Sequence, residues 1–181
     1  MKLYLINLGH CDTDKGVVLT PGSDVGKRVI IPIVGYLIET DDGRRILVDS
    51  GMHRKHIADP QATFGEVEFG KYITPIMTPE DDLANRLSEL GLTPKDIDVV
   101  ELYDAFTINT LLFLEDLGFC AKGESKDFIA NGAIAPGGRL PVNTNGGGLC
   151  CVHPGMYGVF IMIEAVRQLR GECGARQIVD A

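Results

Sequence analysis

The sequence predicts an α/β protein, because β-branched apolar runs alternate along it with stretches of helical periodicity. Three observations carry this. Val29–Thr40 and Arg44–Asp49 are apolar runs separated by Asp41-Asp42-Gly43, and Asp-Gly between such runs is a strong hairpin signal. Thr78–Gly91 reads as a helix with start and stop residues in place, and Ile97–Leu102 follows as an apolar strand. The pattern leaves the order of the strands in the sheet open.

Taken in chain order, Lys2–Leu8 alternates enough to be the first strand, and the hairpin follows. Residues 51–77 have mixed polarity and no clear period, so they read as loop with at most a turn of helix. In Thr78-Pro79-Glu80-Asp81 the threonine can cap, the proline suits the first helical position and the acids face the positive dipole end. Leu83, Leu87 and Leu90 form that helix's apolar stripe and Gly91 ends it. Thr93-Pro94-Lys95-Asp96 is a turn or short helix before the strand. Asp104 can cap a helix with apolar positions Ile108, Leu111, Leu112, Leu114 and Leu117. A glycine-rich stretch over residues 131–148 leads to a short strand, Leu149–His153. The last helix spans about Met156–Arg170, with Val159, Phe160, Ile163, Val166 and Leu169 read as its buried side.

Composition narrows the function. A chain of 181 residues holds one ordinary domain or two small ones, and 45% apolar with 23% charged residues is a globular composition. The net charge of -8, with no local Lys/Arg cluster, excludes a phosphate-tracking surface, so no nucleic acid partner is expected. The longest apolar run, Val159–Ile163, is too short for a bilayer, and the first residues lack a signal-peptide core; a cytoplasmic chain without membrane contact is expected. The five cysteines form no C-x-x-C pair, which fits reduced thiols.

Residues 1 to about 98 resemble the opening of the metallo-β-lactamase superfamily, nearest to the N-acyl-homoserine lactonases. The resemblance rests on Thr20-Pro21-Gly22, Ile31-Pro32, Tyr36–Thr40, Ile46–Met52 and Met77–Asp81, in that order. It implies the first half of an αββα sandwich, with Asp49 in a supporting position near a metal centre. That family's H-x-H-x-D-H motif should follow Asp98, yet Glu101-Leu102-Tyr103-Asp104-Ala105-Phe106 stands there, and no histidine occurs between His56 and His153. Two metals need imidazoles and carboxylates at that strand end, so no dinuclear site is expected. His53 and His56 could share a helical face, but the plainer reading is two solvated loop residues, with His10 structural at a strand end.

Residues from about 99 to 179 resemble the C-terminal half of the thiolase superfamily, nearest to its lipid-transfer-protein-like members. The carrying segments are Glu101–Phe106, Gly137–Gly148, His153–Gly158 and Glu164–Gly171. The resemblance implies a partial thiolase-like layer and a site for an acyl-CoA substrate with no resident cofactor. It implies His153 and Tyr103 as catalytic positions, and Asn145 and Gly155 as substrate-binding positions. A histidine in that place activates a cysteine nucleophile and donates to a developing oxyanion. Tyr103 departs from the asparagine or histidine of most thiolases and matches thiolase-like steroid aldolases, where a Tyr-Asp pair is implicated in acid/base work. Pro154, Gly155 and Gly158 would allow a tight turn and close helix packing. Cys151 lies two residues from His153 and reads either as a nucleophile or, more plainly, as a small apolar filler. The triple glycine Gly146–Gly148 lacks a following Lys-Ser/Thr and reads as a close-approach loop rather than a phosphate cradle.

The fold expected is therefore α/β in two incomplete half-folds, 1–98 and 99–181, half an αββα sandwich plus a partial thiolase-like layer. The join is expected within Gly91–Val100, a stretch that suits either family. The functional expectation is a fragment related to acyl-CoA acyltransferases and thiolase-like aldolases, inactive alone because the family's nucleophilic cysteine and final strands are not found. The alternatives are a lactonase-type hydrolase fragment without its metal motif and a non-catalytic fusion or artefactual chain. Local and global signals conflict in such a chain, so marginal stability, exposed apolar surface and either self-association or a complementing subunit are expected.

Overall fold

A computed structural model describes residues 1–64, 68–151 and 157–179. The chain is α/β as expected, with five strands and four α-helices among the described residues: β1 (Lys2–Asp14), β2 (Arg28–Glu39), β3 (Arg45–Val48), β4 (Ile73–Ile76), β5 (Val99–Glu101), α1 (Leu83–Glu89), α2 (Thr107–Asp116), α3 (Ser125–Phe128) and α4 (Tyr157–Leu169). Two compact units divide it. One comprises Met1–Ile6, Gly35–Ser50 and Leu87–Ala181, the other Asn7–Val34 and Gly51–Arg86.

The first unit is built on the predicted hairpin. β2 pairs antiparallel with β3 from Tyr36↔Val48 to Glu39↔Arg45. Gly43 at φ +90° makes the turn, its N–H donating to the Thr40 carbonyl at 3.1 Å. β5 then adds parallel to β3, from Ile46↔Val99 to Val48↔Glu101. A parallel pair needs a crossover, and residues 49–98 provide it. On one face Ile38, Ile46, Val48 and Val99 pack with Tyr157, Ile161 and Ala165 of α4. The alternate positions Leu37, Leu47 and Val100 are also fully buried, so these strands are covered on both sides.

α4 buries only part of the face the hydropathy pattern predicts, with Leu169 against the core cluster and Val166 half-buried. Tyr157, Ile161, Glu164, Ala165 and Gln168 are buried, at helical spacing, while Val159, Phe160 and Ile163 are exposed. The physical reason is that Glu164 and Gln168 find hydrogen-bond partners inside and so bear burial as an apolar residue would. Phe160→Ala is accordingly expected to cost only about 1 kcal/mol, the worth of a 38% exposed ring 6.5 Å from that of Tyr157. A loss near the 3–5 kcal/mol of a core phenylalanine in chemical denaturation would restore the hydropathy reading.

In the second unit β4 pairs antiparallel with β1 from His10↔Ile76 to Thr13↔Ile73. This strand stands where a loop is expected, because a four-residue strand containing Pro75 is too short for its period to register. His10 is accordingly a mid-strand residue. The loop from β1 to β2 is tied by Asp14, whose carboxylate accepts from the N–H groups of Gly16 (2.9 Å), Val17 (3.1 Å) and Gly26 (2.9 Å).

Other expectations need local correction. The helix expected from Thr78 is a 3-10 turn, Pro79–Asp81, followed by α1, where the Asp82 carboxylate accepts from Ala84 N–H at 3.1 Å. Leu83 and Leu87 are buried but Leu90 is exposed. In α2 only Leu114 is buried, with Leu117 just beyond, while Ile108 and Leu112 face solvent. The strand expected at Leu149–His153 begins instead as a 3-10 turn, Gly148–Cys150. Among the described residues no helix is long and apolar enough to cross a membrane.

Candidate active site

β5 ends at the site, and its parallel partner there is irregular chain. Val142 bridges Val100, Val100 N–H donates to the Pro141 carbonyl at 3.0 Å, and Asn143 N–H returns a bond to the Val100 carbonyl at 2.9 Å. The Asn143 Oδ1 accepts from Leu102 N–H at 2.6 Å. These bonds lay residues 141–145 along β5 and deliver the glycine-rich loop to the residues that follow it.

Asp104 is the first such residue. It is not the expected cap of α2, which begins at Thr107 behind Phe106. Asp104 is buried, and its Oδ1 accepts a hydrogen bond from Gly148 N–H. A Cβ on Gly147 would overlap the Asp104 carboxylate, and Gly147 stands at φ 78°, ψ 179°, a conformation reserved almost wholly for glycine. The triple glycine is thus a close-approach loop, with Asp104 as the group approached. Gly158 does not act alike: it is exposed in α4 with open space where a Cβ would stand.

Tyr103 and Asn145 come together through a residue the sequence reading did not single out. The Tyr103 ring lies 5.9 Å from that of Tyr157, at 50°. Tyr157 is buried, and its hydroxyl donates to Asn145 Oδ1 at 3.3 Å; the same oxygen accepts from Gly147 N–H at 2.8 Å. Burial pushes the Tyr157 phenol well above the usual tyrosine range, and the carboxyls of Asp104 and Glu101 push the same way. Tyr157 therefore stays a donor at neutral pH. Tyr103, 37% exposed, is the accessible member of the pair. His153 and Gly155 lie outside the described residues.

Beneath the loop runs a buried polar chain. Thr144 N–H (3.2 Å) and Oγ1 (2.8 Å) contact Glu101 Oε1, and Thr144 Oγ1 also lies 2.9 Å from Glu164 Oε1. Arg176 closes the far end, its Nε and Nη2 donating to the two Glu164 oxygens at 3.0 and 2.9 Å. Burial raises the Glu164 carboxyl, but the Arg176 guanidinium and the Thr144 hydroxyl outweigh it and leave it below the usual range. One signal could have found this chain: Glu101 is a carboxylate inside an apolar strand, where a charge is seldom left unpaired.

The other candidates are structural. His56 is buried, with Nδ1 2.9 Å from the Pro60 carbonyl, Nε2 2.8 Å from Thr63 Oγ1, and its ring 5.5 Å from that of Phe64. It is not the solvated residue expected, since both nitrogens are engaged inside its loop. His53 Nδ1 accepts from Lys55 N–H at 2.9 Å and so caps the 3-10 turn Arg54–Ile57. Cys151 packs partly buried against the α4 core cluster, the place of a filler.

Comparison with known proteins gives a family. A family model described as thiolase C-terminal domain-like matches residues 84–181, beginning ahead of the 91–100 stretch. A 17-hydroxy-3-oxo-4-pregnene-20-carboxyl-CoA lyase of Mycobacterium tuberculosis is 56% identical over 97 residues, 51% of this chain and 24% of that protein. A steroid side-chain-cleaving aldolase of Thermomonospora curvata is 40% identical over 148 residues, 74% of this chain and 37% of that protein. The chain thus spans well under two thirds of the length of either relative. Among solved structures, an N-acyl homoserine lactone hydrolase with N-hexanoyl-L-homoserine at its catalytic metal centre aligns at TM-score 0.49 and 34% identity, over 55% of this chain and 39% of that one.

Proposed function

Because the chain belongs to the thiolase C-terminal domain-like family, we propose that it supplies one wall of an acyl-thioester site that makes or breaks a carbon–carbon bond. The supporting observation is the tyrosine pair: an accessible Tyr103 beside a buried Tyr157 that stays protonated and is held by Asn145. In a retro-aldol cleavage of a 3-hydroxyacyl thioester the hydroxyl loses its proton, the bond between C2 and C3 breaks, and its electron pair moves toward the thioester oxygen. A carbonyl product leaves and C2 is reprotonated. Tyr103 is assigned the proton transfers, His153 the donor to the developing oxyanion, and Asn145 and Gly155 the thioester's position, while Tyr157, whose one hydroxyl hydrogen goes to Asn145, holds Tyr103 and Asn145 in place. The names of the steroid lyase and aldolase relatives favour this branch over acyl transfer.

Equilibrium binding of a 3-hydroxyacyl-CoA tests the reading. Saturable binding, weakened tenfold or more by His153→Ala, is expected; binding indifferent to His153 overturns it. Tyr103→Phe should leave affinity within about threefold and lower cleavage by about 10²–10⁴, the usual worth of a positioned acid/base group.

The same reading gives the chain a partner, a complementing subunit or a second copy. Phe106, Ile108 and Leu112 around α2, and Val159, Phe160 and Ile163 on α4, are exposed apolar residues that support it. Concentration-dependent association in sedimentation is expected; a monomer that melts sharply and cooperatively speaks against it. For residues 1 to about 98 the lactonase-like motif order supports a separate origin and a join within Gly91–Val100. Reads across codons 88 to 104 of the source locus test that: one unbroken frame supports a genuine fusion, two separate genes an artefactual chain.

A further inference from the structure

Glu101 is fully buried at the end of β5, and its Oε2 has no hydrogen-bond partner. Its Oε1 faces Thr144, whose single hydroxyl hydrogen stands between two carboxyl oxygens, Glu101 Oε1 at 2.8 Å and Glu164 Oε1 at 2.9 Å. One hydrogen can serve only one of them. The second contact, between two oxygens with no hydrogen, would be repulsive unless a carboxyl brings its own proton. Glu164 cannot be that group, because two guanidinium N–H donors of Arg176 and the Gln168 amide at 3.2 Å hold it as an anion. Proton counting therefore leaves the hydrogen on Glu101, which donates to Thr144 Oγ1 while Thr144 donates to Glu164. The orphan Oε2 fits the same assignment: a neutral carbonyl oxygen without a partner costs far less than a buried anionic one.

We propose that Glu101 is held as a neutral carboxylic acid and acts as a positioning residue, its proton locking Thr144 and with it the 143–148 loop. That loop presents Asn145 to Tyr157 and Gly148 to Asp104. The benefit to catalysis rests on the thioester-site reading above, whereas the proton and the loop do not. Charged or titratable groups face Glu101 from each neighbouring element: Asp104 beyond β5, Glu164 and Tyr157 of α4, and Arg176 of the C-terminal turn. Burial raises the Glu101 carboxyl to about 7, the Glu164 and Asp104 charges add to it, and the Thr144 N–H that donates to Glu101 Oε1 opposes it. The folded chain then binds more protons at Glu101 than the unfolded chain between the ordinary carboxyl value of 4.5 and about 7. Stability falls as pH rises through that window and levels off above it. The consequence is local as well: an ionised Glu101 cannot donate to Thr144, and the loop loosens.

Carbon-13 titration of labelled glutamate carboxyls is the first test. One resonance moving near pH 7, and missing from Glu101→Gln, is expected; every glutamate titrating below about pH 5.5 overturns the proposal. Amide hydrogen exchange at Thr144 and Gly148 is the second. Relative to a β3 amide such as Leu47 in the same protein, exchange should accelerate about tenfold or more between pH 6 and 8. A constant ratio overturns the positioning role. Glu101→Gln keeps a donor on the site and is expected to flatten that ratio; the internal reference keeps the test decisive even if the variant does not fold. Neither measurement requires a thioester, so their failure is distinguishable from failure of the proposed function.

Discussion

Arg176→Met is expected to destabilise the chain by about 3 kcal/mol at neutral pH, because it leaves Glu164 buried and without its counter-ion. The Glu164 side chain is 3% exposed, while that of Arg176 is 39% exposed, so the loss falls mainly on the carboxylate. Thr144, Gln168 and the Cys173 thiol cannot replace a guanidinium: together they offer neutral donors only. Glu164 responds by taking up a proton, and the pH dependence reveals it. In the wild type its carboxyl lies below the ordinary value, so its contribution is present above the unfolded value of 4.5 and is lost as pH falls through the folded one. In Arg176→Met the folded carboxyl rises above the unfolded value, so the deficit against the wild type should shrink as pH falls from 7 toward 4. Urea denaturation of both proteins across that range measures it. A deficit independent of pH would mean that Arg176 contributes by packing its stem and not by its charge.

That network explains where the sequence was readable and where it was not. The hairpin at Asp41-Asp42-Gly43, the apolar β5 and the extent of α4 follow from local signals, since turn chemistry and periodicity act within a dozen residues. The buried face of α4 does not. Glu164 and Gln168 are ordinary solvent-face residues until Thr144 and Arg176 arrive beside them, 20 and 12 residues away. Hydropathy alone then turns the helix toward Phe160 and Ile163. The site divides the same way. Tyr103 and Asn145 were visible through a family resemblance, and the loop between them through its glycines. Tyr157, which joins them, read as one more residue at a helix start, because its meaning lies in a ring and an oxygen brought from elsewhere in the chain. Glu101 passed unread inside the apolar strand, although a carboxylate among Val99, Val100 and Leu102 is a local sign of an internal partner.

Gly147→Ala is the second large effect expected, a loss of about 3 kcal/mol or more together with loss of thioester binding. Two independent costs combine. At φ 78°, ψ 179° an L side chain is strained by about 1–3 kcal/mol wherever it stands. Here the added Cβ would also meet the Asp104 carboxylate, which is buried and anchored to Gly148 N–H, so neither partner can yield without breaking that bond. Moving the loop away would carry Asn145 off the Tyr157 hydroxyl, since the Asn145 oxygen holds Gly147 N–H as well. Gly158→Ala is the matched control. With open space around it inside α4, it should be neutral or stabilise by up to about 1 kcal/mol, as alanine does for glycine in a helix. Thermal melts of the two variants separate the readings. If Gly147→Ala melts with the wild type, the loop is not a close-approach device and Asp104 does not hold it; if both variants fall equally, glycine content rather than the Asp104 contact governs this part of the fold.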